Sequence, residues 1–441
     1  MTFRFIERYL KKNFPSFVIG FTCAAMATGA SPSTNPTPED WGMGMVYRVA
    51  SIPYIGSEDY IGSFVPVLFF EDDLFFLRGT SGGITPLRWE SWELSLLGRF
   101  RFMDLPDDLV EKKFADDLFM GAQLRYKLGD WQRIDLEALA DSHGRMVTNL
   151  RWSGRITSTE WQLQPYLQAQ FKSKKMNSFY YGLDQQALEQ GYEFSAGLQA
   201  RYHLFRNLYM LGSAGVTYLD EETTRSVFVE DSWATEVSIG FSIGHDPGYV
   251  SLPREEDGPR PYIRVAHGLG NLSNFLEILS ADIKRDPYNN QLTSVFYGFP
   301  LADSLFGLPV DTYLTAGAAW HWESEVQDSG QELILAFKFY YTVPLPWRVR
   351  IGFAEGISYI TEPTYIEYVN IEEDQLEPVN WQNYLDFSVD VNLGDVFTDS
   401  LDRFWLGFGV HHRSAIFGNS QQFGRSNAGS NYNTLYLQID L

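Results

Sequence analysis

Cysteine is almost absent from this sequence: among 441 residues, only Cys23 carries a thiol. A lone cysteine cannot form an internal disulfide, and it cannot supply the several thiolates of a structural zinc site. Disulfide-stapled and thiolate-bound folds are therefore excluded.

An excess of positive charge is also missing. Lys and Arg number 34 against 56 Asp and Glu, which gives a net charge of −22. Nucleic acid calls for a basic face, so it is excluded as a partner.

Dinucleotide-binding, P-loop and zinc-protease motifs are absent too, so no cofactor is predicted. The histidines outside the His411–His412 pair show no metal-ligand spacing, so no metal is predicted either: His143, His203, His245, His267 and His321.

The basic residues that do occur are concentrated at the N-terminus. MTFRFIERYLKKNF carries four basic side chains against Glu7, and the apolar run Phe14–Ala30 follows. Ala25-Met26-Ala27 is a small-residue cleavage site, so the pattern predicts a secretory signal peptide over residues 1–27. A membrane anchor is the alternative, but the run is short and contains Pro15 and Gly20. Residues 28–40 are predicted to be disordered.

Long apolar runs are absent from the rest of the chain, and a two-residue alternation takes their place. In WQLQPYLQAQF (Trp161–Phe171), apolar side chains alternate with four glutamines. Successive strand side chains point to opposite faces, so such a segment has one apolar and one polar side. The same alternation recurs in MGAQLRYKL (Met120–Leu128), EFSAGLQARYHL (Glu193–Leu204) and YLDFSVDVNL (Tyr384–Leu393).

A water-soluble sandwich would show the same alternation, but three further features favour a membrane barrel. The segments run about ten residues, the length that a tilted strand needs to cross a bilayer. Their polar side is rich in Gln, Arg, Asp and Glu, which suits a hydrated interior, and a signal peptide precedes them. Strands can cross lipid only as a closed barrel. The sequence therefore predicts an all-β, antiparallel transmembrane barrel of the bacterial outer membrane.

The organisation of the strands suggests two modules. Residues 41–244 are predicted to hold about ten to twelve strands, with LFFLRGTSGGITPL (Leu74–Leu87) taken as one of them. The proline-rich stretch 245–261 is predicted to be a linker. Residues 262–441 are predicted to form a barrel of about eight strands. The alternative is one barrel of about eighteen to twenty strands. NLSNFLEILSAD (Asn271–Asp282) is predicted to be a short helix or a loop.

The first module resembles the MipA/OmpV family of outer-membrane proteins. The resemblance rests on the glycine-rich start and proline-containing second strand in Trp41–Gly79, and on the turn Tyr54–Tyr60. DSHG (Asp141–Gly144) and YYGL (Tyr180–Leu183) fall where the family has similar elements. One member of that family is described as a scaffold between murein synthases and a lytic transglycosylase. The resemblance implies an envelope scaffold or interaction protein, with peptidoglycan-remodelling proteins as partners.

The second module resembles lipid A deacylases of the PagL type, which are eight-stranded barrels. FWLGFGVHHRSAIFG (Phe404–Gly418) matches their penultimate strand, whose His-x-Ser pair falls on His412 and Ser414. The resemblance implies a triad completed by an acid on the last strand, and Asn431 stands at that position. The family usually has Asn after the serine, where this chain has Ala415.

Strand parity places this pair independently of the resemblance. His412 and Ser414 continue the apolar side of Phe404–Val410, so they are predicted to face lipid at the outer, lipopolysaccharide end of the strand. Asn431 points the same way from the neighbouring strand. Asp386 and Asp390 lie on the interior side of the preceding strand, so they cannot replace Asn431 as the acid.

Three functions follow from these patterns. The main prediction is a non-enzymatic envelope scaffold. The first alternative is an acyl-ester hydrolase with a degenerate site of His412, Ser414 and Asn431, acting on lipopolysaccharide; without catalysis, these side chains would be an interfacial polar cap. The second alternative is a porin, which requires the two halves to merge into one wide barrel.

Overall fold

The chain folds into two antiparallel β-barrels. A computed structural model describes residues 41–56, 59–102, 104, 117–247, 258–273, 284, 286–374, 380–414 and 429–441. The predicted signal peptide, the segment 28–40 and the greater part of Asn271–Asp282 lie outside these residues. In the described part of the chain, no helix combines the length and apolarity that a bilayer-crossing helix needs.

The first barrel is a ring of twelve strands closed by pairing of β1 with β13. A further strand of two residues, β9, pairs with β10 beside the end of β8. The strands are β1 (Trp41–Ser51), β2 (Tyr60–Glu71), β3 (Phe75–Gly79), β4 (Ser81–Trp89), β5 (Trp92–Arg101), β6 (Asp117–Lys127), β7 (Gln132–Ala140), β8 (Met146–Gly154), β9 (Ile156–Thr157), β10 (Trp161–Lys172), β11 (Gly191–Phe205), β12 (Leu208–Leu219) and β13 (Trp233–Gly244).

The second barrel is a ring of eight strands closed by pairing of β14 with β21. The strands are β14 (Tyr262–Asn271), β15 (Gln291–Ala302), β16 (Val310–His321), β17 (Gly330–Val343), β18 (Val349–Ile360), β19 (Trp381–Asn392), β20 (Phe404–Ser414) and β21 (Gly429–Asp440). The fold-class prediction of two antiparallel barrels is confirmed, and the single merged barrel is excluded.

Short helices lie between strands. They are α1 (Lys174–Tyr180), α2 (Glu221–Thr224), α3 (Tyr365–Asp374), α4 (Leu393–Val396) and the 3₁₀ helix η1 (Asp399–Leu401). Ser173 caps α1, because its side chain accepts a hydrogen bond from the backbone N–H of Met176.

The alternation of side chains follows the predicted parity. On β6, Met120 is 61% exposed on the outer side whereas Gln123 is 4% exposed on the inner side. One strand prediction was wrong: Leu74–Leu87 forms two strands, β3 and β4, because the chain reverses at Gly79, whose φ is +68°. An L side chain strongly disfavours this left-handed conformation, and glycine adopts it freely.

The connections define the orientation of both barrels. In the first barrel, the connections at one end are the short stretches 72–74, 90–91, 128–131, 158–160 and 206–207. Those at the other end run 52–59, 102–116, 141–145, 173–190 and 220–232. Outer-membrane barrels keep short turns in the periplasm and long loops outside, so β1 begins at the periplasmic end. The second barrel shows the same asymmetry.

The two interiors are filled differently. At the outer end of the first barrel, an apolar cluster closes over the interior and includes Tyr54, Met176, Tyr180 and Val229. Below it the interior is polar. The second barrel is packed with ion pairs instead, such as Arg350 with Asp390, whose side chains are almost fully buried. Eight strands leave just enough room for side chains, so this interior is a core.

The barrels lie against each other through sides that would otherwise face lipid. Phe337 has outward parity on β17 yet is fully buried, because Trp41 of the first barrel packs on it with ring centroids 5.9 Å apart. Phe70 and Phe299 meet at 6.3 Å, and Phe100 and Trp381 at 4.8 Å.

Candidate active site

His412 and Ser414 lie at the outer end of β20, two residues apart on the side that faces away from the barrel interior. Both are half-buried, whereas their neighbours His411 and Arg413 are fully buried inside the barrel. Contacts with the first barrel involve β15–β19, so the pair on β20 faces the membrane on another side of the second barrel.

Asn431 meets His412 directly. The two residues are register partners on β21 and β20, and His412 Nδ1 lies 2.6 Å from Asn431 Oδ1. The amide nitrogen fixes the orientation of the Asn431 side chain, because Nδ2 donates to the carbonyl oxygen of Ser273 at 2.9 Å. Oδ1 can only accept, so Nδ1 of the imidazole carries the hydrogen and Nε2 keeps a lone pair.

Two further residues of this site are not predicted from the sequence. Ser273 follows β14 and supplies the carbonyl that anchors Asn431. Gly429 is the register partner of Ser414, and a Cβ built there would lie 2.8 Å from the Arg413 carbonyl oxygen and 3.6 Å from both the His412 ring and Ser414 Cβ. No local motif marks either residue. Only the register of β21 could have pointed to Gly429.

The nearby carboxylates point into the barrel, as strand parity predicts. Asp386 pairs with Arg264 and Lys338, and Asp390 pairs with Arg350 at 2.8 Å. Within the part of the chain that the structure describes, no carboxylate therefore takes the position of an acid beside His412.

Behind the pair, the barrel interior contains a polar network that holds β20 in place. His411 Nε2 and His321 Nε2 both lie within 2.9 Å of the same oxygen of Glu332. Arg413 donates to Glu367 at 2.7 Å. From the sequence His321 is an isolated histidine, because its link to His411 depends on long-range strand pairing.

The site has the parts for attack on an ester, with one weakness. His412 Nε2 can act as a base, and Ser414 is the nearest hydroxyl along the strand on the same side. Asn431 holds the imidazole in the required tautomer, but an amide cannot offset the positive charge that the ring gains during reaction.

Comparison with known proteins bears on the first barrel. Residues 43–244 match the family model of the MltA-interacting protein MipA. This part of the chain is similar to the MipA family. The MltA-interacting protein of Escherichia coli K12 is 25% identical over 197 residues, which cover 40% of this chain and 79% of that relative. The protein of the same name from Shigella flexneri matches equally. This similarity and the barrel architecture place the protein in the bacterial outer membrane.

Solved structures resemble the whole chain only loosely. CdiB from Acinetobacter baumannii is 10% identical with a TM-score of 0.25, over 90% of this chain and 60% of that one. OccK11 (OpdR) of Pseudomonas aeruginosa is 9% identical with a TM-score of 0.24, over 91% and 95%. TM-scores this low indicate nothing about the function of this protein.

Proposed function

We propose that this protein is an outer-membrane scaffold that holds a murein-remodelling enzyme at its periplasmic face. The observation that carries the proposal is the MipA-family match over residues 43–244, together with the name of the relative, MltA-interacting protein. The interiors fit a scaffold better than a porin. The apolar cluster fills the outer end of the first barrel, and ion pairs fill the second.

The periplasmic turns of the MipA-family barrel give the scaffold a charged surface. Four exposed carboxylates stand on four separate turns at this end: Asp73, Glu90, Asp130 and Glu160. Charges on a contact surface act mainly on the association rate and on the choice of partner. The proposed partner would therefore present a basic surface to this end of the barrel.

Binding of a purified lytic transglycosylase to the full chain in nanodiscs tests the scaffold. We expect saturable binding that a quadruple Lys variant of the four turn carboxylates weakens at least tenfold. The matched control reverses four exposed acids of the outer loops and should leave the affinity unchanged: Asp184, Glu189, Glu230 and Asp231. Absence of binding by the unaltered protein would overturn the proposal.

A second candidate function is hydrolysis of an acyl ester of lipopolysaccharide, and the His412–Asn431 hydrogen bond favours it. His412 Nε2 would take the proton of Ser414 Oγ as that oxygen attacks the ester carbonyl. The alcohol would leave with the proton from His412, and water activated by the same nitrogen would then release the fatty acid.

Mass spectrometry of lipid A from cells producing the protein tests this second function. If the protein hydrolyses lipid A, a fraction of the lipid A molecules should lack one acyl chain. In cells producing Ser414→Ala, lipid A should keep all of its acyl chains. Thr293→Ala is the matched control, because Thr293 presents a hydroxyl near the outer end of β15, 3.0 Å from His267 Nδ1. Identical lipid A from cells producing the unaltered protein and cells producing Ser414→Ala would contradict the hydrolase function.

A further inference from the structure

An apolar cleft lies between the two barrels, and neither proposed function uses it. Its volume is about 790 Å³, within the range of about 300–1,000 Å³ that is usual for small-molecule sites. Leu68 and Leu77 line it from the first barrel, and Phe299 and Leu335 from the second. These walls are the membrane-facing sides of strands, so the bulk of any occupant must be apolar.

The wall of the first barrel is interrupted beside this cleft. β2 is twelve residues long, but β3 pairs only with its last four, Leu68–Glu71. Residues Tyr60–Val67 pair with β1, and no described strand pairs with their other edge. Because β3 and β4 reverse at Gly79–Ser81, the described strands leave a gap about two strand spacings wide, roughly 10 Å, above this turn.

The gap joins the cleft to the polar interior of the first barrel. The turn residues Gly79, Thr80 and Ser81 line both the cleft and the interior cavity, as do Phe76 and Phe100. A molecule with an apolar chain and a polar head could therefore keep the chain in the cleft while the head reaches the interior.

A cationic side chain stands at this junction. Arg99 Nε donates to Ser81 Oγ at 2.8 Å, and its two terminal nitrogens bind the carboxylate of Glu137 at 2.8 Å. These contacts use three of the five N–H donors of a guanidinium. The side chain is still 31% exposed to the cavity, so it can bind a further anion.

We propose that the interbarrel cleft binds the acyl chain of a long-chain fatty acid, with its carboxylate held by Arg99 at the gap. A carboxylate is small enough to pass beside the turn at Gly79–Ser81. It also matches the planar guanidinium of Arg99.

Palmitate binding to the full chain in nanodiscs tests this site. Gly98 lines the cleft, and a Cβ there would meet only side chains, Leu118 at 3.3 Å being the nearest, so Gly98→Phe should fill the cleft without moving the backbone. We expect this variant to weaken palmitate binding at least tenfold. Gly212→Phe is the matched control on the outward side of β12, where a Cβ would have only a contact at 3.7 Å.

Arg99→Gln tests recognition of the fatty-acid carboxylate separately from burial of the acyl chain. It should weaken palmitate binding at least tenfold and leave the binding of hexadecanol, which has no carboxylate, unchanged. Equal palmitate binding by the unaltered protein and Gly98→Phe would overturn the proposal. So would recovery of phospholipid in place of fatty acid from protein extracted from membranes.

Discussion

At position 431 the chain carries an amide where a carboxylate would complete a serine-hydrolase triad. The hydrogen bonds of Asn431 to His412 and Ser273 orient the imidazole, so the missing contribution is charge and not geometry. In serine proteases, replacing the acid by its amide lowers turnover by about 10⁴-fold because it leaves the histidine in the wrong tautomer. Here Asn431 holds the required tautomer, so only the negative charge is missing. The reverse replacement is therefore an informative experiment.

Asn431→Asp should raise ester hydrolysis by at least tenfold at neutral pH, because the carboxylate would stabilise the protonated His412. The variant should also lose stability, by about 1–3 kcal/mol, since a carboxylate cannot donate to the Ser273 carbonyl. Release of acyl chains from lipopolysaccharide and thermal unfolding in detergent measure the two effects. Asn431→Ala is the control and should show no gain in activity. A rate for Asn431→Asp no higher than that of the unaltered protein would contradict this role for the charge.

Glu355 offers a second prediction at the scale of one residue. It lies on the outward side of β18, half-buried, with no hydrogen bond or ion pair to it in the described part of the chain. Burying a carboxyl group there costs free energy, and no hydrogen bond or ion pair among the described residues offsets that cost. Glu355→Leu should therefore raise the free energy of unfolding, by about 1–2 kcal/mol, in urea titrations in detergent. Asp390→Leu is the contrast and should lower it, because it leaves Arg350 buried without its partner.

Part of the site can be predicted from the sequence, for a physical reason. A strand fixes the side on which each side chain points, so parity alone put His412, Ser414 and Asn431 on one side. Parity does not say which distant backbone group meets a side chain. The contacts with Ser273 and the Glu332 network therefore required the three-dimensional register.

Among the strands, β3 and β4 are where the sequence pattern was misread. LFFLRGTSGGITPL has the length and apolar content of one crossing strand, but Gly79 adopts φ +68° and the chain turns back. The misreading matters, because the short hairpin produces the gap beside the interbarrel cleft.

Gly79→Ala should lower the free energy of unfolding by about 1–2 kcal/mol, the cost of a left-handed conformation for an L residue. A Cβ at Gly79 would meet nothing within 4 Å, so the loss would report backbone conformation and not crowding. Heat-dependent gel mobility of the folded barrel measures the effect. Gly212→Ala, where the backbone is ordinary and a Cβ has room, should show no such loss. Equal midpoints for the two variants would contradict this account.

For the whole molecule, the number of modules could be predicted and their contact could not. The proline-rich stretch 245–261 and the two complete sets of strands indicate two barrels. Phe337 and Phe339 have the same parity and chemistry as side chains that face lipid, so nothing in the sequence distinguishes a face covered by protein. Apolar packing in lipid and packing against a second barrel call for the same residue types.

The contact between the barrels predicts a specific cross-link. In a Cys23→Ser background, Phe70→Cys and Phe299→Cys should react with a short bis-maleimide, because the two aromatic rings lie 6.3 Å apart across the interface. A protease site introduced between residues 253 and 258 would then release two fragments from uncross-linked protein and one linked species from cross-linked protein. Phe241→Cys with Phe299→Cys is the control. Phe241 is 55% exposed on the outward side of β13, and this pair should yield two fragments. Two fragments from both pairs would show that the barrels do not pack through β2 and β15, and the interbarrel cleft would lose its second wall.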